Sequence, residues 1–150
     1  VIARPDLDNG GDWAFGHYTH EKNPVTARAA LETIAIIEEE RLVENAARVG
    51  GAALERLRGW MDEFEAVGDV RGRGFLIGIE LVENRTSKAP ARDLAERTMY
   101  AALEHGLSFK TTMGNVLTLT PPLVTTEAQM NQALDILREA LELAIAAGRR

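Results

Sequence analysis

One stretch of the sequence decides the fold: residues 68–81 read Gly-Asp-Val-Arg-Gly-Arg-Gly-Phe-Leu-Ile-Gly-Ile-Glu-Leu. In its second half, bulky apolar side chains recur at every second position, at Phe75, Ile77, Ile79 and Leu81. This period of two predicts a strand with one buried face. The three glycines of residues 68–74 predict a turn that leads into the strand, with room for a short strand of its own.

The sequence on either side of this strand is mostly helical in period. Apolar spacing of three and four residues predicts four helices: 24–40, about 41–65, from Pro90 to a cap at Gly106, and from Thr126 to about Ile145. Gly50-Gly51 inside the second helix indicates either close packing or a break. Thr126 and Gln129 have the spacing of a capping box.

Two further short strands are predicted at residues 107–111 and 116–119, and Pro121-Pro122 ends the pairing. The order of elements predicts an α/β (α+β) fold: a three- to four-stranded, mainly antiparallel sheet. Because so few strands cannot face water on both sides, helices should cover one face of the sheet.

Composition excludes several classes of protein. The chain is 45% hydrophobic and 27% charged, which excludes wholesale disorder. Its net charge of −6 argues against nucleic acid or an anionic membrane surface as a partner. Cysteine is absent, so disulfides, thiolate catalysis and cysteine metal sites are excluded. A cytoplasmic enzyme fits these properties.

The N-terminus reads as the interior of a longer protein. The chain begins at Val1, and its first residues lack the charged segment and apolar core of a signal peptide. No run of apolar residues approaches the length of a membrane span. We therefore expect that the chain starts in the middle of a longer protein.

Two local patterns suggest binding chemistry, and each has a simpler explanation. His17, His20 and Glu21 are close enough in sequence to share a metal ion, but the segment is a glycine-flanked loop with no further strong ligand nearby, so we predict no metal site. Residues 71–74, Arg-Gly-Arg-Gly, could form an anion nest. A strand follows them where a phosphate loop would lead into a helix, so we favour a tight turn with arginines for surface pairing.

Three segments together carry a family resemblance. They are residues 16–25 (Gly-His-Tyr-Thr-His-Glu-Lys-Asn-Pro-Val), residues 68–81, and Leu-Thr-Pro-Pro-Leu at 119–123. In this order and spacing, they resemble the C-terminal part of class III pyridoxal-phosphate aminotransferases. That family includes ω-aminotransferases and dialkylglycine decarboxylase, and racemases of amino amides and amino acids share its fold.

The resemblance implies a fold-type I enzyme, in which a large domain holds the cofactor and two subunits form a homodimer around the active sites. Residues 1–23 would be a loop segment from the end of the large domain, residues 24–40 a connecting helix, and residues 41–150 the small C-terminal domain. Thr19 matches the family threonine that binds the cofactor phosphate in the partner subunit's site.

Two departures from the family pattern affect function. The family's Schiff-base lysine precedes the stretch that starts at Val1, and Lys22, Lys88 and Lys110 do not stand in its motif. We therefore expect the chain to be inactive alone. Several relatives also carry a carboxylate-binding arginine two residues before the Ala/Thr-Pro-Pro element, where this chain has Thr118; Lys110 and Arg73 are the available substitutes.

The function that the resemblance implies is amino-group transfer between an amine or ω-amino acid and an oxo acid, with pyridoxal 5'-phosphate as the cofactor. A pyridoxal-phosphate racemase or epimerase of the same fold is the closest alternative. The other alternative is a non-catalytic assembly module. The resemblance therefore implies that this chain contributes no catalytic residue, and that Thr19 is its only residue in contact with the cofactor.

Overall fold

The computed structural model describes residues 23–148. Within them lie four helices and four strands, in this order: α1 (Pro24–Glu39), α2 (Leu42–Glu63), β1 (Val67–Arg73), β2 (Leu76–Leu81), α3 (Arg92–Glu104), β3 (Lys110–Thr112), β4 (Val116–Leu119) and α4 (Glu127–Gly148). Contacts divide the chain into two units, Val1–Ala35 and Ile36–Arg150. Among the helices of this described part, none has the length and apolarity to cross a membrane.

The second unit is built on one four-stranded sheet. Its strand order is β1-β2-β4-β3, and every neighbouring pair is antiparallel. The predicted fold class is therefore confirmed, and the sheet has four strands, the upper value of the predicted three to four. The outer strands are β1 and β3, so β3, the shortest strand at three residues, forms one edge.

The alternation that predicted β2 is confirmed. Ile77, Ile79 and Leu81 are fully buried, whereas Leu76 is 63% exposed at the hairpin. On β4, Leu117 and Leu119 share the buried face with them. Helices α2, α3 and α4 all contribute to the core against this face. The opposite face of the sheet carries the polar residues described below.

The strand for which the sequence left room in residues 68–74 is present, and the turn is shorter than predicted. The strand β1 continues through Arg73, and the loop between β1 and β2 is only Gly74 and Phe75. Gly74 has a φ of +56°, as the first residue of a type II′ hairpin loop requires. Gly72 serves a close approach between strands, because a Cβ there would lie 3.0 Å from Ile77 Cα. The glycines of residues 68–74 suggested a turn, but these residues pair with β2, and their backbone is therefore extended as far as Arg73.

The first of the two glycines inside α2 marks close packing, one of the two predicted alternatives. The helix runs unbroken from Leu42 to Glu63. A Cβ on Gly50 would lie 2.9 Å from Gly74 Cα and closer still to its carbonyl group, whereas a Cβ on Gly51 would meet nothing within 4 Å. Helix α2 therefore touches the hairpin loop, backbone against backbone.

The ends of α3 and α4 largely follow the sequence. Gly106 has a φ of +88° and ends α3, and Pro90 bridges to Val82 two residues before that helix begins. The capping box of α4 is confirmed: Gln129 Oε1 accepts from Thr126 N at 2.9 Å, and Thr126 Oγ1 accepts from Gln129 N at 3.3 Å. On α3 the buried residues are Ala95, Thr98 and Ala102, whereas Leu103 is exposed.

Candidate functional site

The polar face of the sheet carries a row of four residues that lie side by side across the strands. The pairing registers place Arg71 opposite Gly78, Gly78 opposite Thr118, and Thr118 opposite Lys110. Because directly paired residues project to the same face, one cation lies at each end of the row. Between them are a hydroxyl and a glycine, which adds no side chain.

The cation at the β1 end is paired with two carboxylates. Arg71 Nη1 donates to Asp69 Oδ2 at 2.6 Å and to Glu80 Oε2 at 2.7 Å. The hydrogen bond to Asp69, followed by the one to Glu80, raises the pKa of Arg71 above its ordinary value. Arg71 therefore keeps its charge as the pH rises, until the guanidinium finally loses its proton at strongly basic pH. The prediction of surface pairing is confirmed for Arg71, and its guanidinium is not available to an anion nest.

The β3 end has a different arrangement. Lys110 faces Thr118 directly across the ladder, and Thr118 Oγ1 lies 2.8 Å from Thr112 Oγ1. Arg73, the other substitute considered for the missing arginine, lies at the end of β1, and β2 separates that strand from β4. The structure therefore brings Lys110, and not Arg73, beside Thr118.

A cleft of about 500 Å³ opens at this edge of the sheet. Its polar lining comes from Lys110, Thr118, Ser108 and Thr120. The apolar lining comes from the start of β3, from the end of β4 and from α4. Its residues include Phe109, Leu119, Pro121 and Met130. The registers place Lys110 and Thr118 on the polar face of the sheet and Leu119 on the buried face, so the cleft lies at the rim where the two faces meet.

One wall of the cleft is held by hydrogen bonds to the backbone. Asn45, on α2, donates from Nδ2 to Leu123 O at 2.9 Å and to Thr125 O at 3.0 Å. These bonds fix the segment between β4 and α4. Thr120 and Pro121 at its start also line a second, largely apolar cleft of about 500 Å³, which includes Arg73.

Several residues singled out in the sequence lie outside the described residues: Thr19, His17, His20, Glu21 and Lys22. The proposed phosphate contact and the disfavoured metal cluster therefore both remain predictions. Within residues 23–148, no group of three metal-ligating side chains occurs. Sequence reasoning did not single out Ser108, Thr112 or Thr120, although the alternation Thr118-Leu119-Thr120 was a usable signal.

Comparison with known proteins identifies the family. The profile of the aminotransferase class-III family matches residues 11–141, and the chain belongs to this family. Members of the family depend on pyridoxal 5'-phosphate. The family that the three sequence segments indicated is therefore confirmed, and so is pyridoxal 5'-phosphate as the cofactor of that family.

The similar proteins differ in reaction. The chain is 38% identical over 141 residues to an (R)-1-hydroxy-2-aminoethylphosphonate ammonia-lyase of Vibrio splendidus, covering 94% of the chain and 29% of the lyase. It is 41% identical over 128 residues to a leucine/methionine racemase of Thermococcus litoralis, covering 85% and 29%. A thermostable omega transaminase from Pseudomonas jessenii superposes with a TM-score of 0.79 at 34% identity, covering 87% and 29%. The chain thus spans less than a third of each of these proteins.

The described residues do not assemble a pyridoxal-phosphate site by themselves. Such a site brings a lysine amine together with an acidic or basic partner for the ring nitrogen. Lys88 and Lys110 are both exposed. The cleft at Lys110 includes no carboxylate. The carboxylates in the cleft at Lys88, Asp69 and Glu80, are held by Arg71. We therefore assign no step of the cofactor's chemistry to residues 23–148.

Proposed function

We propose that the chain is the C-terminal part of a class III aminotransferase that transfers an amino group between an amine or ω-amino acid and an oxo acid. Residues 1–23 would form the end of the large cofactor domain and residues 41–150 the small domain. Residues 24–40 would be the helix that connects the two domains. The family match over residues 11–141, at about 29% of the relatives' length, is the observation that carries this proposal. The enzyme would act in the cytoplasm as a homodimer.

The exposed apolar side chains of α1 support the proposal that this helix packs against another part of the full-length enzyme. None of the residues of this helix is buried, although its sequence is largely apolar. Val25 is 75% exposed, Leu31 61% and Ile34 53%. Leu31 and Ile34 are one helical turn apart, and exposed apolar side chains of this size on one side of a helix mark contact surfaces in soluble proteins. A hydrophobic dye should therefore bind the isolated chain more strongly than a closed monomer, and binding at the level of a closed monomer would count against this division.

Thr19 is the one residue to which we assign a cofactor role, on the resemblance of residues 16–25 to the family loop. Its hydroxyl and backbone N–H would bind the phosphate in the partner subunit's site. A short polar segment that leads into a helix suits an anion, because the N–H groups there point outward. Pyridoxal phosphate, when bound, supplies the electron sink for chemistry at the amine-bearing carbon.

The test is titration of the purified chain with equimolar pyridoxal phosphate, followed by borohydride reduction and mass spectrometry. We expect no saturable visible absorption band and no stoichiometric lysine adduct, because the described lysines lie outside any assembled cofactor site. A single stoichiometric adduct on Lys22, Lys88 or Lys110 would contradict the proposal that the Schiff-base lysine is not in this chain.

Racemisation or epimerisation is the second candidate, favoured by the 41% identity to a leucine/methionine racemase. The two reactions share the cofactor and differ in their products. The full-length enzyme should be incubated with one enantiomer of an amino acid and no oxo acid. Sustained loss of optical activity identifies a racemase, whereas plain transamination stops after one turnover. Release of free ammonia in the same assay would instead indicate the chemistry named for the Vibrio relative.

A further inference from the structure

We propose that Met113 is a reversible oxidation site, at which the chain consumes a small peroxide without losing its fold. The reacting atom is the thioether sulfur, Sδ, and hydrogen peroxide is the simplest oxidant of this class. The sulfur donates a lone pair to one peroxide oxygen, the O–O bond breaks, and the proton of the transferred oxygen passes to the leaving oxygen, which departs as water. The sulfur is thereby oxidised by two electrons to the sulfoxide, and the peroxide is reduced.

Met113 is the methionine that solvent reaches most easily. All four methionines of the chain lie within the described residues. Met113 is 81% exposed, whereas Met130 is 3% exposed and belongs to the hydrophobic core. Met61 and Met99 are half-buried. Because an oxidant must touch the sulfur to react with it, the rate of oxidation follows exposure, and a peroxide should reach Met113 first.

The backbone at this position does not favour methionine. Met113 and Gly114 lie in the turn between β3 and β4, with φ angles of +56° and +83°. Glycine and asparagine adopt positive φ readily, whereas a methionine there has an unfavourable backbone conformation. Its side chain also gains nothing from burial, because it lies outside the core. The property that distinguishes methionine from asparagine or glycine in this turn is therefore its reactive sulfur.

The turn is held without help from the Met113 side chain. Asn115 is buried and donates from Nδ2 to Leu81 O at 2.9 Å, and Leu81 N donates to the carbonyl oxygen of Asn115 at 2.8 Å. These two hydrogen bonds tie the turn to the end of β2. An oxygen added to the exposed Met113 sulfur leaves them in place. At Met130 the same oxygen would enter the core, where a polar group without a partner is costly.

The experiment is oxidation of the 150-residue chain with hydrogen peroxide, followed over time by digestion and mass spectrometry. A glutamate-specific protease places each methionine in a separate peptide, whereas trypsin leaves Met113 and Met130 together. We expect Met113 to gain one oxygen at about the rate of N-acetylmethionine amide. Met130 should react at least about tenfold more slowly, because the core must open before the oxidant can enter. The two classes of methionine sulfoxide reductase, one for each sulfoxide epimer, should together restore the parent mass.

Met113→Asn is the test variant, because asparagine suits a positive φ and has no sulfur. When there is less peroxide than protein, this variant should show a larger fraction of sulfoxide at Met61 and Met99 than the parent chain does. Met99→Leu is the matched control: it removes a half-buried methionine with little change in volume, and it should leave the rate at Met113 unchanged. Thermal unfolding checks that both variants, and the parent chain oxidised at Met113, keep at least the Tm of the untreated chain.

The proposal is wrong if Met61, Met99 or Met130 reacts as fast as Met113, or if oxidation at Met113 lowers the Tm. It is also wrong if Met113→Asn leaves the oxidation of the other methionines unchanged under limiting peroxide. A sulfoxide at Met113 that neither reductase class reduces would overturn its reversibility. None of these measurements involves pyridoxal phosphate or amino transfer, so their outcome is independent of the proposed function.

Discussion

The two halves of the sheet use their polar groups for different purposes. In the β1–β2 half, Arg71 satisfies two carboxylates, and Gly50 and Gly74 bring helix and hairpin into backbone contact. In the β3–β4 half, Lys110 stands beside a pair of hydroxyls at the mouth of a cleft. Close packing and paired charges stabilise a fold, whereas the exposed side chains of the β3–β4 half contribute little to it. Changes in the first half should therefore affect stability more than changes in the second.

The largest expected effect is at the contact between α2 and the hairpin. Gly50→Ala should reduce the free energy of unfolding by about 3 kcal/mol, because its Cβ would meet the backbone of Gly74, which cannot move aside as a side chain can. Urea unfolding followed by circular dichroism measures the change. Gly51→Ala, one residue later in the same helix with open space around it, should instead stabilise by about 0.5–1 kcal/mol. Equal effects at the two positions would show that helix propensity, and not the close contact, decides.

A smaller effect is expected where the two halves join. Asn115 is buried, and its Nδ2 donates to Leu81 O at 2.9 Å, linking the turn before β4 to the end of β2. Asn115→Ala should destabilise by about 2 kcal/mol, because a buried hydrogen bond is lost. Differential scanning calorimetry would record a lower Tm. Asn131→Ala, on the exposed side of α4, should change stability by no more than about 0.5 kcal/mol, and a comparable loss there would contradict the assigned role of burial.

The smallest effect is expected at the two cations of the polar face. Arg71→Ala should destabilise by about 0.5–1 kcal/mol, since the pair is solvent-exposed, and the loss should shrink in high salt. Lys110→Gln should leave the unfolding free energy unchanged, because Lys110 is an exposed surface side chain. Chemical denaturation at low and high ionic strength tests both. If Lys110→Gln destabilises the chain as much as Arg71→Ala does, the contrast between the halves fails.

Local patterns in the sequence predicted the elements whose burial follows a simple period. The alternation through Ile77 and Ile79, and the helical stripe of α4 with its Thr126–Gln129 capping box, reported directly on which face is buried. The extent of β1 was missed because Gly72 and Gly74 have turn composition, and only pairing with a strand further along the chain reveals the extended backbone.

The candidate site depended even more on long-range information. The substitution of Thr118 for an arginine was visible in the sequence, but its neighbour was not. Register between β3 and β4 places Lys110 opposite Thr118, and strand order places Arg73 two strands away. Neither quantity can be read from residue types, because a shift of one residue would put Lys110 on the other face of the sheet.

Asn45 has a mechanical consequence. Its side chain anchors the segment after β4 to α2, and the start of that segment, Thr120 and Pro121, lines both clefts at once. The segment is therefore a partition between two volumes, so that moving it toward either one enlarges the other. The two hydrogen bonds from Asn45 oppose displacement of the segment in both directions.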